Sequence, residues 1–269
     1  MQYNISKPSP YLSQYVKQYW SLDSNVVTGE SHIQRIVPSG LFELIFYLND
    51  RPEASDHKKS ITENVIITGQ LKTHHDLKIV GRLSLFAIYF LPQGLSMFLN
   101  LPIKALFNQS VPLKDVMKEV VNQLEDELYA APTFKGQIAV AEKFLIKRLQ
   151  QKEREYKYDR IRYVVNEINK TKGLVEINEL AEQTFLSRKQ FERTFSDIIG
   201  SSPKQFKKIV RFQNAIHIKS KNKNLSLTEI AHQCGYFDQS HMINDFKSLS
   251  GMSPKQFFTN EEPFSDYFN

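Results

Sequence analysis

From Ile177 to Phe257 one pattern is written out twice, and a duplicated pattern folds as two similar pieces. The first copy runs Ile177-Asn178-Glu179-Leu180-Ala181-Glu182-Gln183 through Phe195 and Gly200 to Ser202-Pro203-Lys204-Gln205-Phe206. The second runs Leu227-Thr228-Glu229-Ile230-Ala231-His232-Gln233 through Phe246 and Gly251 to Ser253-Pro254-Lys255-Gln256-Phe257. Ala181 and Ala231 stand 50 residues apart, whereas Phe195/Phe246, Gly200/Gly251 and Pro203/Pro254 each stand 51 apart. One residue has therefore been added in the second copy, within Gly235-Tyr236-Phe237-Asp238.

Each copy reads helix, short turn, helix. Ser226-Leu227-Thr228-Glu229 is a capping box, in which a hydroxyl and a carboxylate satisfy free backbone donors at a helix start. Leu227, Ile230, Ala231 and Cys234 follow at helical spacing, and Gly235 suits a left-handed turn position. Asp238 caps the next helix, whose apolar face is Met242, Ile243, Phe246 and Leu249. In the first copy Glu176 and Phe185 replace Ser226 and Gly235, a poorer cap and a poorer turn. Ser187 then caps Arg188 to Ile199, with Phe191, Thr194, Phe195 and Ile198 facing inward. Gly200 and Gly251 suit helix stops, and each Ser-Pro restarts a helix with proline in its first turn. A long helix, roughly Pro203 to Lys221, joins the copies.

Small alanines let the paired helices cross closely, as in a helix-turn-helix. A pair of helical hairpins without a ligand has the same bare pattern, and surface chemistry separates the two readings. The second helices present Arg188, Lys189, Gln190 and Arg193, then Gln239, Ser240, His241 and Asn244, side chains that hydrogen-bond base edges or phosphates. Residues 157–260 hold 17 Lys and Arg against 10 Asp and Glu, a net of +7, while residues 1–156 have a net of only +2.

The region from about 157 to 260 resembles the DNA-binding domain of the AraC/XylS family of bacterial transcription regulators. The resemblance rests on Leu180-Ala181, Ser187 through Phe195 and Gly200-Ser201-Ser202-Pro203 in the first half. In the second it rests on Ile230-Ala231, Gly235-Tyr236, Asp238-Gln239-Ser240-His241, Phe246-Lys247 and Gly251-Met252-Ser253-Pro254. Phe185 and Asn244 depart from the family pattern, which often has arginine at the latter position. The resemblance implies two helix-turn-helix units, about 176–199 and 226–249, lying in adjacent major grooves of double-stranded DNA. It assigns base contacts to Lys189, Gln190, Arg193, Gln239, Ser240 and Asn244, and phosphate contacts to Ser187, Arg188, Lys204, Asp238 and His241. RNA polymerase is the further partner expected of such a regulator. Whether it acts as activator or repressor depends on where the operator lies.

With 269 residues and a net charge of +6, the chain has room for two domains and an overall bias toward a polyanionic partner. No run of ~18 apolar residues predicts a membrane span. The first residues lack the pattern of a secretion signal, and the single Cys234 reads as a core thiol, so a cytoplasmic location is expected. Residues 8–20 read as an amphipathic helical lead-in carrying Leu12, Tyr15, Val16 and Tyr19. The period then shifts toward two, with candidate strands at Trp20–Val27, Ile33–Val37, Phe42–Leu48, Val65–Thr68, Leu77–Val80 and Leu85–Phe90. Arg51 to Glu63 reads as a loop excursion. Apolar stripes follow at Leu113, Val116, Met117, Val120, Leu124 and Leu128, then at Phe134, Ile138, Ala141, Phe144, Leu145 and Leu149. The charged run Lys147 to Lys157 reads as a linker. The fold class expected is therefore α+β in two domains: residues 1–152 a small antiparallel sheet or barrel with helices, residues 157–260 an all-α unit.

Trp20, Arg35 through Gly40, Glu43 through Phe46 and Phe90 through Gly94 resemble the cupin-like amino-terminal domain of some AraC-type proteins. That resemblance implies sensing of a small-molecule effector and helices used in a homodimer. Arg35, Glu43, Tyr47 and Tyr89 are the candidate effector-pocket residues. His74-His75-Asp76 lacks the spaced histidines and glutamate of a cupin metal site, so no metal and no cofactor is expected. No catalytic constellation or glycine-rich phosphate loop is evident, and a non-enzyme is expected. A protein-binding scaffold and a DNA-targeted enzyme are the alternatives for the first domain.

Overall fold

The computed structural model describes residues 2–26, 30–54, 62–117, 121–152, 156–260 and Tyr267. It divides into two compact units: Met1–Ile36, Leu41–Gly69 and His75–Glu155 form one, and Val37–Gly40, Gln70–His74 and Tyr156–Asn269 the other. The first is an antiparallel β unit with helices and the second is all-helical, the α+β arrangement expected.

Strands β1 (Gln2–Ser6), β2 (Val16–Asn25), β3 (His32–Ile36), β4 (Phe42–Tyr47) and β5 (Glu53–Ala54) come first. They are followed by β6 (Val65–Thr68), β7 (His75–Ile79), β8 (Arg82–Phe90) and β9 (Ser110–Pro112). A six-stranded sheet has the order β1-β2-β8-β4-β6-β9 and a three-stranded sheet the order β3-β7-β5. Period-two alternation gives β4 and β8 two different faces. Phe42, Phe46, Phe86 and Phe90 are buried on one face, and Ile45, Tyr47, Leu83, Leu85 and Ala87 on the other. The second face packs with Trp20, Leu22 and Ile79 of β7.

The first face is covered by helices. Helices α1 (Leu113–Val116), α2 (Val121–Tyr129) and α3 (Phe134–Gln150) follow β9. Phe134 meets Phe86 edge-on at 6.0 Å, and the Tyr19 hydroxyl donates to Glu142. Burial against this face raises the Tyr19 hydroxyl above its ordinary range, and the Glu142 carboxylate adds to the shift.

The expected helical lead-in over 8–20 is only partly present. Ser9 to Val16 makes two successive turns, with the Ser13 amide bonded to the Ser9 carbonyl and the Val16 amide to the Leu12 carbonyl. The chain is already in β2 from Val16. Val16 and Tyr19 are three apart and both buried because the register with β8 shifts between Val16 and Gln18. That irregularity mimics helical spacing inside a strand. The edge strand β1 has no counterpart among the expected strands, since Tyr3 and Ile5 are exposed and the burial contrast is weak. Glu53–Ala54 pairs with β7 inside the expected loop excursion, whose residues 55–61, like Val27 and Val120, lie outside the described residues. The expected stripe Leu113 to Leu128 is split between α1 and α2.

The charged run from Lys147 is not a free linker at its start. It continues α3, and Arg148 and Lys152 donate to the carbonyls of Phe98, Ser96 and Leu99. No helix among the described residues is long and apolar enough to cross a membrane.

The helical unit contains α4 (Tyr156–Lys170), α5 (Ile177–Gln183), α6 (Arg188–Ile199) and α7 (Pro203–Lys221). It ends with α8 (Leu227–Gln233), α9 (Gln239–Ser250) and α10 (Pro254–Asn260). Two apolar cores divide it. The first gathers Ile161, Val165 and Ile168 of α4 with Leu180, Phe191, Phe195, Phe206 and Val210. The second gathers Ile209, Phe212 and Ile216 with Ile230, Cys234, Met242, Phe246 and Phe257. Adjacent residues of α7 thus face different cores.

In the β unit Phe86 touches Tyr19, Phe46 and Phe134. Phe86→Ala is expected to lower unfolding free energy by ~3–5 kcal/mol. Urea denaturation followed by aromatic fluorescence measures the loss.

Candidate nucleic-acid interface

The two second helices, α6 and α9, start from built caps. The Ser187 hydroxyl accepts from the Gln190 amide, and Gln190 Oε1 accepts from the Ser187 amide at 3.1 Å. Asp238 accepts from the His241 amide at 2.7 Å. Both helices end at glycines in the left-handed region, Gly200 at φ 85° and Gly251 at φ 74°. In α8 the Ser226 side-chain and backbone hydrogen bonds hold the Glu229 carboxyl below its ordinary range.

On α6, Ser187, Arg188, Lys189, Gln190 and Arg193 are all exposed. Arg188 is engaged within the unit, bonded to Glu192 at 2.6 Å and to Asn178. The Gln190 carbonyl oxygen is used in the cap, leaving its amide nitrogen to face outward. Lys189 and Arg193 have no ion-pair partner among the described residues, and their i,i+4 spacing puts both charges on one face. On α9, Gln239, Ser240 and Asn244 are exposed. His241 is half-buried, edge-on to Tyr236 with centroids 5.2 Å apart. Lys204 is exposed in the first turn of α7. The base-contact candidates are therefore solvent-facing in both copies; among the phosphate candidates Ser187 and Asp238 are used in the helix caps, and Arg188 and His241 have side-chain partners.

Asp245 is a residue whose only sequence signal is a carboxylate set between Met242 and Phe246 on the apolar face of α9. It is buried on α9 and accepts from Arg211 at 3.0 Å and Lys208 at 3.3 Å, both on α7. Arg211 also lies 4.7 Å over the Tyr236 ring. Polar groups thereby tie α9 to the joining helix. Cys234 is buried, and burial pushes its thiol up to about 12.

The candidate effector residues are drawn from both sheets. Glu43 pairs in register with Tyr89, and the Trp20 indole donates to Glu43 at 2.9 Å while stacking on Tyr89 at 5.9 Å. Tyr47 shares that face and is buried, which raises its hydroxyl above the ordinary range. Arg35 is on the other sheet, in a two-pronged pair with Asp76 at 2.7 Å. Among the described residues no group of three or more His, Cys, Asp or Glu stands together as a metal site.

Two helix pairs whose polar second helices are both side-chain-capped, sharing one long helix, define a doubled helix-turn-helix unit. Residues 180–260 match the family model described as a helix-turn-helix domain. Residues 4–112 match a model described as a domain of unknown function. The chain is 36% identical over 81 residues to an uncharacterised HTH-type transcriptional regulator of Haemophilus influenzae, covering 30% of this chain and 27% of that one. It is 29% identical over 83 residues to the probable transcriptional regulator LumQ of Photobacterium leiognathi, covering 31% of this chain and 33% of that one. The chain thus spans about a third or less of these curated relatives. In fold it is similar to ToxT from Vibrio cholerae, with a TM-score of 0.50 at 9% identity over 90% of this chain and 98% of that one.

Phe185 holds φ 53° and is 90% exposed. A left-handed non-glycine residue costs ~1–2 kcal/mol, and the exposed ring has little packing to lose. Phe185→Gly is therefore expected to leave stability unchanged or raise it by up to about 1 kcal/mol after the entropy cost of glycine. Thermal unfolding of the two proteins compares them.

Proposed function

We propose that the chain is a DNA-binding transcription regulator that inserts α6 and α9 into successive major-groove faces of one duplex. The observation that carries this reading is the pair of capped helices presenting Lys189 and Arg193, then Gln239, Ser240 and Asn244, to solvent from a unit that matches a helix-turn-helix domain model. Guanine suits the cationic side chains and adenine the amides, each good bidentate pair discriminating by ~1–3 kcal/mol. The half-sites lie about one helical turn, ~34 Å, apart. Ser187, Arg188, Lys204, Asp238 and His241, near helix amino termini, position the backbone. Gln190 joins the base readers through its amide nitrogen.

In the same reading residues 157–260 address DNA, while residues 1–152 sense a small molecule and assemble a homodimer. The effector site sits around Glu43, Tyr47 and Tyr89, with Arg35 engaged by Asp76 until a ligand competes for it. RNA polymerase is the downstream partner, the protein works in the cytoplasm, and it carries out no reaction of its own.

Selection of bound DNA from random sequence, with and without pooled metabolites, tests DNA binding, half-site spacing and effector dependence together. A flat selection profile overturns the reading. Arg193→Ala is expected to relax preference at one base position at a cost of ~1–3 kcal/mol. Lys204→Ala is expected to weaken all sequences alike and reduce the slope of log affinity against log salt by about one unit.

A further inference from the structure

Within the helical unit a short segment, Gln70–His74, reaches equivalent points of both copies. Gln70 is a polar side chain at 0% exposure with both ends used. Its Oε1 accepts from the Ser201 hydroxyl at 2.6 Å, and its Nε2 donates to the Gly40 carbonyl at 3.0 Å. Ser201 directly follows Gly200, the stop of α6. At the other end the Thr73 hydroxyl donates to the Ser248 carbonyl in the last turn of α9 at 2.9 Å. His74 lies so close to Gly251, the stop of α9, that a Cβ there would come within 2.4 Å of its ring. Midway, Gln205 in the first turn of α7 donates to the Lys72 carbonyl at 3.3 Å.

A second segment, Val37–Gly40, seats the first on α7. Gln213 donates to the Pro38 carbonyl at 2.9 Å with both residues buried. Gly40 lies against Ile209 and Phe206, where a Cβ would sit 3.4 Å and 3.5 Å from their side chains. Because Gly200 and Gly251 are corresponding positions of the repeat, one five-residue segment touches the same feature twice. At ~3.4 Å per residue, the steps from Gln70 to His74 span at most about 14 Å, so a helix stop that drifted outward would break one foot or the other.

We propose that Gln70–His74 is a brace that fixes the separation and angle of the two recognition helices, with Gln70 and Thr73 as positioning residues. The proposal rests on the regulator reading for its consequence, the discrimination of half-site spacing. Its geometry is testable without DNA.

Spin labels attached at Glu192→Cys on α6 and Lys247→Cys on α9, both exposed, report the distance between the helices in the full-length chain. The native Cys234 thiol is buried and stays unlabelled. The expected result is one narrow distance distribution that broadens in Gln70→Ala, and also in Thr73→Val, which keeps the shape and removes the hydroxyl. In DNA binding, the unsubstituted chain is expected to prefer its selected site over one with an inserted base pair by about tenfold, and Gln70→Ala to lose most of that preference with isolated half-site affinity unchanged. A distribution equally narrow in both folded variants overturns the brace. So does a parallel loss of half-site affinity and spacing preference, which marks a merely structural role. If the unsubstituted chain binds no DNA, the regulator reading fails, and the label distances still decide the brace.

Discussion

The helical unit depends on one helix serving two cores. Helix α7 runs for 19 residues, about 28 Å at ~1.5 Å per residue, and its buried side chains are divided by direction. Phe206 and Val210 enter the first core, and Ile209, Phe212 and Ile216 the second. Residues 206 and 210, four apart, share a face, as do 209, 212 and 216, so ordinary helical periodicity separates the two sets. Neither core can rearrange without turning the helix that the other also grips. Rigidity between the copies thus comes from side-chain packing rather than from the length of a connector.

Polar contacts set the finer geometry because they are directional where apolar packing is not. Asp245 receives two cations from α7, and Gln213 and Gln70 each bond a backbone carbonyl while buried. A buried amide or carboxylate left without its partner costs far more than the bond contributes when made. These groups therefore penalise alternative arrangements more than they stabilise the native one. Under the proposed reading, that penalty keeps the two recognition helices in step with two separate grooves, since small rotations at a helix stop become large displacements of side chains at the far end.

Legibility in the sequence followed the range of the interaction. The repeat, the caps at Ser187, Ser226 and Asp238 and the stops at Gly200 and Gly251 are local, and their residue types report them directly. The inward faces of α6 and α9 were also readable, because solvent on one side leaves a clean contrast. The β unit was less so. In β2 a register shift turned strand spacing into something resembling a helix, and in β1 an edge strand gave little contrast. Arg35 has the chemistry of a ligand-binding residue, yet Asp76 opposite it in β7 takes both prongs. That pairing depends on strand register, which no local pattern announces. Gln70 was invisible for the same reason, since its partner Ser201 lies 131 residues away.

The unequal turns of the two copies show how one motif tolerates different residues at corresponding positions. Phe185 and Gly235 both occupy the left-handed region, at φ 53° and 66°. In the second copy a Cβ at Gly235 would lie 2.3 Å from the Leu174 side chain, so lack of space as well as backbone angle demands glycine. In the first copy Phe185 is 90% exposed, so its ring has room and only the backbone strain remains. The added residue of the second copy, Phe237, is 93% exposed just before the Asp238 cap. Lengthening the turn there leaves the cap, the buried Tyr236 and the start of α9 intact, because the extra side chain is directed away from the core. The duplication has therefore diverged in the turns, where geometry constrains the backbone more tightly than the side chain, and has kept its pattern where α7 holds both copies.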